Sequence, residues 1–191
     1  MIVLAGAETD RAGKTMAGIA RAATHTGAFI VDSGIGSGIE KFCLRKGVPL
    51  LGVAPESKIS YPRMNPTSRK PNELTNGHSH FVLIGKEDRS VEYNWGEESS
   101  LKYEFAKRLT VGRKGGFGNN RAPSCKMVTV VLGDNEEAAL RDIEMSLNTK
   151  TPIVILSGSN FANEALEKVG TAIDDGVPIR QDETSEAPTV G

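Results

Sequence analysis

The chain has 191 residues, of which 38% are hydrophobic and 25% charged. That length buries one substantial core and supports no more than one domain with appendages. A formal net charge of −1 supplies no global field for nucleic acid or an anionic membrane, and neither is expected as a partner.

Apolar runs separated by helical patterns then alternate along the chain. Ile2 to Ala5 is short, apolar and lacks a basic flank, so it reads as a first strand and not as a signal segment. A chain beginning inside a strand suggests a fragment or a minimal domain. Lys14 to Thr24 is an Ala-rich helix, Ala28 to Asp32 a second strand, and Ile39 to Arg45 a helix after a glycine turn. Val48 to Val53 is continuously apolar, as expected of a parallel strand covered on both faces. From Ala54 the pattern stops, and four prolines among Asn, Ser and Lys predict a long loop over 55–77, made basic by Lys58, Arg63, Arg69 and Lys70.

The pattern resumes at His80 to Ile84, a fourth strand. Glu98 to Leu109 reads as a helix, with Leu101, Phe105 and Leu109 spaced by four on one face. A second Gly/Asn/Pro-rich loop over 111–125 follows, then a strand at Met127 to Leu132, a helix at Glu136 to Leu147, a strand at Ile153 to Leu156 and a closing helix at Asn160 to Val169. The expected organisation is a single domain over 1–172 with a disordered tail over 173–191, rich in Asp, Glu, Ser, Thr and Pro. Repeated β-α units imply an α/β fold, a mostly parallel sheet with helices on both faces.

In such sheets ligands bind beyond the carboxyl ends of the strands. Four of those ends carry small polar residues: Gly6 after the first strand, Ser33, Gly34, Gly36, Ser37 and Gly38 after the second, Gly133 before Glu136, and Ser157, Gly158, Ser159 and Asn160 after the last. Turn geometry alone would explain each of them. Their recurrence predicts a cleft that accepts a phosphate or nucleotide, with backbone amides and a helix start at the Gly34–Gly38 turn.

Other signals are weaker. Gly13-Lys14-Thr15 looks like the end of a Walker A loop, but Glu8 stands where its first glycine is required. His78 and His80 share a face of a strand, yet no further ligand at metal spacing accompanies them, so structural histidines are expected and no metal. Trp95 precedes a helix and either stacks on a ligand ring or closes the core. Lys107, Arg108, Arg113, Lys114, Arg121 and Lys126 form an acid-free stretch, read as solvated. Cys43 and Cys125 match no CxxC spacing, which suits structural thiols in a reduced, cytoplasmic setting. No apolar stretch approaches the roughly 20 residues of a spanning helix.

Several of these pieces occur in one order: Gly34 to Gly38, Gly52-Val53-Ala54-Pro55, Asn76 through His78-Ser79-His80-Phe81, Trp95-Gly96-Glu97-Glu98, Arg141-Asp142 and Ser157-Gly158-Ser159. Over about residues 28 to 170 this resembles the LSDAT branch of the SLOG superfamily, found at the N-terminus of melastatin-type TRP channels and in stand-alone prokaryotic-type members. The resemblance implies a Rossmann-like fold and recognition of a nucleotide-derived ligand such as ADP-ribose. It sets Ser37 in the ligand turn, Lys102 where channel members can carry a phosphate-contacting arginine, and Asn160 where they can carry a second. It also relates Leu132 to Ala138 to the Pro-Gly-Gly-x-Gly-Thr turn of LOG enzymes, which cleave nucleoside monophosphates at the N-glycosidic bond.

The leading expectation is therefore a nucleotide or nucleotide-sugar sensor domain. Its contacts would be Gly6, Ser33, Gly34, Gly36, Ser37, Gly38, Lys102, Gly133 and Ser157 to Asn160, with His80 and Trp95 as ring or loop contacts. A LOG-type hydrolase using Glu136 or Glu137 is the second reading. A ligand-free assembly module, acting as a homo-oligomer or with an effector partner, is the third.

Overall fold

The computed structural model describes residues 1–6, 13–36, 38–62, 70–88, 92–111, 125–132 and 137–156. Its centre is a six-stranded parallel sheet with strand order β6-β3-β2-β1-β7-β8, formed by β1 (Ile2–Ala5), β2 (Ile30–Asp32), β3 (Leu50–Pro55), β6 (His80–Ile84), β7 (Val128–Val131) and β8 (Ile153–Ile155). Among the described residues four helices cover it: α1 (Gly13–Thr26), α2 (Glu40–Lys46), α3 (Ser99–Val111) and α4 (Glu137–Asn148). The chain steps outward from β1 through β2 and β3 to β6, then returns past β1 to β7 and β8. This reversal of strand order puts a topological switch point between β1 and β7.

Alternation along the strands sorts the core into two layers. Leu4, Ile30 and Leu50 point to one face and pack with Met16, Ala20 and Ala23 of α1 and Ile39 and Cys43 around α2. Val3, Val31, Leu51 and Val53 point to the other and pack with Tyr103 and Ala106 of α3. Ala5 and Val131 extend that second layer under Ile143 of α4. Cys43 is fully buried, and burial, with Asp32 and Glu40 adding to it, pushes its thiol up to about 12. It is a packing residue.

One expectation needs correction. Among its described residues, the segment read as a long loop over 55–77 contains a 3₁₀ turn at Glu56–Lys58 and a small parallel pair, β4 (Ile59–Ser60) with β5 (Asn72–Glu73). In helix α3 the leucine face is the more exposed one. Leu101, Phe105 and Leu109 are 45%, 36% and 43% exposed, while Ser99, Lys102, Tyr103 and Ala106 face inward. A polar network explains the arrangement. The Tyr103 hydroxyl, Thr129 Oγ1 and Ser146 Oγ lie within 2.7–2.9 Å of one another, joining α3, β7 and α4. Burial, with Asp142 nearby, raises the Tyr103 phenol further above its usual range, so it stays neutral. The expected closing helix, and the tail over 173–191, lie outside the described residues.

Candidate functional site

Beyond the carboxyl ends of β1, β2 and β7 lies a cavity of about 490 Å³. Leu4 and Gly6 line it from β1, Asp32, Ser33, Ile35 and Gly36 from the β2 end, and Leu132 from the β7 end. Glu98 and Lys102 at the start of α3, with Glu137, Ala138 and Asp142 at the start of α4, line it as well. Asn72, Asn94 and Trp95 complete the wall. The switch point between β1 and β7 thus opens into the cavity, as sheets of this kind lead one to expect.

The glycine turn is held from behind. Asp32 Oδ1 accepts the Gly34 N–H at 2.8 Å and the His78 Nε2–H at 2.8 Å. His78 Nδ1 faces the Thr75 carbonyl at 3.0 Å, and the Thr75 amide in turn donates to the Gly34 carbonyl at 3.1 Å. Both ring nitrogens therefore face acceptors, which an imidazolium alone satisfies. Burial alone would lower the His78 pKa, but Asp32 and the Thr75 carbonyl outweigh it and hold it above 6.5. Gly34 is glycine for two reasons. Its φ is +74°, and a Cβ there would lie 3.2 Å from Gly52 Cα and 3.4 Å from the Phe81 ring. The sequence pointed to free amides at this turn, yet the Gly34 amide is already engaged. The following helix α2 is also only seven residues long and opens on the acidic Glu40.

The opposite wall is a buried ionic cluster. Lys102 Nζ donates to Asp142 Oδ2 at 2.6 Å, and Ser99 Oγ donates to Asp142 Oδ1 at 2.7 Å. Burial alone would lower the Lys102 pKa, but the Asp142 carboxylate holds the ammonium above its usual range. Lys102 is thus a charged wall residue whose partner belongs to the protein. Glu98 is buried beside it, with Oε2 accepting the Gly96 N–H at 2.7 Å. Burial raises its carboxyl above the ordinary range, partly offset by Lys102 and by backbone amides.

Of the residues singled out from sequence, Gly6, Ser33, Gly36, Trp95, Lys102 and Glu137 line this cavity. Gly34 and Gly38 shape the turn without lining it. His80 stands exposed at the start of β6, its Nδ1 on Ser79 Oγ at 3.1 Å, and takes no part in the lining. Ser37, Gly133, Glu136 and Ser157 to Asn160 lie outside the described residues. Sequence reasoning missed Asp32, Asn72, Asn94, Glu98 and Asp142 as lining residues. Signals for three of them were present: Asp32 directly precedes the glycine turn, Glu98 is four residues from Lys102, and Asp142 sits in a resemblance piece.

Geometry and topology together define an α/β protein with a ligand-sized cleft at the switch point of a parallel sheet. The chain belongs to the family described as SLOG in TRPM, prokaryote (LSDAT_prok), which matches residues 4–185. The Rossmann-like fold agrees with solved structures. The molybdenum cofactor binding protein of Rippkaea orientalis is similar with a TM-score of 0.55 at 11% identity, covering 89% of this chain and 82% of that one. The molybdenum cofactor carrier protein of Chlamydomonas reinhardtii is similar with a TM-score of 0.52 at 14% identity, covering 92% and 86%. At those identities the likeness shows the fold. No curated protein sequence matches the chain.

Proposed function

We propose that this chain is a ligand-binding domain for a nucleotide or nucleotide-sugar of the ADP-ribose kind, held in the cavity between the β2 turn and the α3–α4 wall. One observation carries the reading. A cavity of about 490 Å³ sits at the switch point with an aromatic side chain, Trp95, two asparagines and several carboxylates in its wall. An indole offers a planar face to a base, and asparagine and carboxylate side chains accept from ribose hydroxyls and ring amino groups. Ser33, Ile35 and Gly36 of the β2 turn form one wall of the site, and Lys102 borders the cavity while neutralising Asp142.

No helix among the described residues is long and apolar enough to cross a membrane. Cys125 is an exposed free thiol, which fits the reducing cytoplasm that we propose as the setting. Thermal denaturation with AMP, ADP-ribose, cyclic ADP-ribose and NAD tests the reading, because a ligand that binds only the folded state raises Tm by mass action. Two proteins of similar fold are named for the molybdenum cofactor, so that compound belongs in the panel too. A rise with at least one nucleotide is expected; no rise with any of them at millimolar concentration refutes it.

A second reading rests on two carboxylates in one cavity. Glu98, held toward its protonated form by burial, and the exposed Glu137 both line it. Such a pair is what an N-glycosidic hydrolase needs, one acid for the departing base and one carboxylate facing the oxocarbenium-like ribose. Release of free base from nucleoside monophosphates, lost in Glu137→Ala, would establish it.

A further inference from the structure

A second cleft, of about 460 Å³, adjoins the main cavity and shares Asn72, Asn94 and Trp95 with it. Its remaining lining is Ser57, Lys58, Lys70, Pro71 and Glu92. Charge is distributed unevenly between the two spaces. In the main cavity the described lining carries four carboxylates and one lysine, and that lysine is already matched by Asp142. In the side cleft two lysines converge on one carboxylate, Lys58 Nζ at 2.9 Å from Glu92 Oε2 and Lys70 Nζ at 3.6 Å from Glu92 Oε1.

We infer that the Lys58–Lys70 cleft is the subsite for the ligand's phosphate, and that the Glu92 carboxylate occupies that place as an internal stand-in until a phosphate displaces it. This rests on the nucleotide reading given above. Three further observations support the exchange. The backbone beside Glu92 is pinned independently of its carboxylate: Ser57 Oγ accepts the Tyr93 N–H and donates to the Tyr93 carbonyl, both at 3.1 Å, and Lys86 Nζ reaches the Glu92 carbonyl at 3.4 Å. The Glu92 side chain is 54% exposed, so it can swing into water without moving the chain. An exposed lysine–glutamate pair contributes little net stability, so its loss costs little. A phosphate offers more charge and more acceptors to two ammonium groups than one carboxylate does.

The arrangement also orients the ligand. Trp95 stands between the two spaces, so a nucleotide would lay its base or ribose in the carboxylate-lined cavity and extend its phosphate past the indole to the lysines. A phosphate placed the other way round would face Glu98 and Glu137.

The experiment compares AMP, ADP-ribose and adenosine by calorimetric titration of wild type, Lys58→Ala, Lys70→Ala and Glu92→Gln. The two lysine variants should each bind the phosphorylated probes about 3- to 10-fold more weakly, the range expected for one partly exposed charge contact. Glu92→Gln should bind them several-fold more tightly, a gain that generic damage to the fold would not produce. Adenosine affinity should stay the same in all four proteins, and raising salt should shrink the differences. If AMP and ADP-ribose bind wild type but Glu92→Gln leaves or lowers their affinity, the subsite is overturned and the nucleotide reading stands. Equal changes for adenosine overturn it as well. If none of the three binds wild type, the nucleotide reading itself fails and takes the subsite with it.

Discussion

Replacing Lys102 with methionine separates a wall residue from a phosphate clamp. Its ammonium lies 2.6 Å from Asp142, with the two side chains 4% and 5% exposed. Methionine fills much of the same volume but leaves Asp142 as a buried carboxylate supported by Ser99 and no cation. Removing one partner of a buried pair typically costs about 3–5 kcal/mol. For a chain of this size each kcal/mol moves Tm by about 2–4 °C, so Lys102→Met should melt roughly 6–20 °C below wild type by calorimetry. The double variant Lys102→Met/Asp142→Leu removes both charges and should recover most of the loss, because apolar replacement of a whole buried pair is often nearly neutral. A Lys102→Met protein that melts within about 2 °C of wild type but no longer binds nucleotide would refute this reasoning. Lys102 would then be held for the ligand and not for Asp142.

Three further outcomes follow from the same geometry. In Gly52→Ala the new Cβ would lie 2.5 Å from Gly34 Cα and 2.8 Å from the Phe81 ring, so urea denaturation should show a loss of about 1–3 kcal/mol. An unchanged midpoint would show that the turn does not rest on β3. His78 has its pKa raised above 6.5 by Asp32 and Thr75, so folding favours its protonated form. That contribution is complete below about pH 6.5 and is lost as pH rises through the folded-state value; the wild-type midpoint should fall over this range more than that of His78→Gln, and equal slopes would contradict the pairing. On α3, Phe105→Glu, at a position 36% exposed, should cost about 1–2 kcal/mol and leave a folded protein, whereas Ala106→Asp, placing a charge at a fully buried position, should prevent folding. The reverse order would place the leucine face inward.

Most strands and helices were legible because each buried strand is a short, nearly continuous apolar run, as in Val128–Val131, and each helix carries its own period. Ile2–Ala5 and His80–Ile84 have the predicted bounds, and the other predicted elements that are described shift by one or two residues, where helix ends fray and strand ends lose their partners. In helix α3 the spacing groups Leu101, Phe105 and Leu109 on one face but does not say where that face points, and it is the more exposed one. The inward face is built instead from Ser99, Lys102 and Tyr103, whose partners Asp142, Thr129 and Ser146 lie 26 to 43 residues away. The candidate site was half legible for the same reason. Gly36, Ser33 and Gly6 announce themselves by local turn chemistry, and Trp95 by its place before a helix. The Asp32–His78 tie spans 46 residues and the Lys58–Glu92 pair 34, and neither separation leaves a local trace.

Trp95 is the only tryptophan in the chain and it stands in the cavity wall, so its fluorescence reports directly on what enters. Titration with ADP-ribose should give a saturable change in Trp95 emission in wild type, with a midpoint that matches the ligand concentration needed to raise Tm. An emission that stays constant to millimolar ADP-ribose, AMP and NAD, in a protein that melts cooperatively, would contradict the claim that this cavity is a nucleotide site.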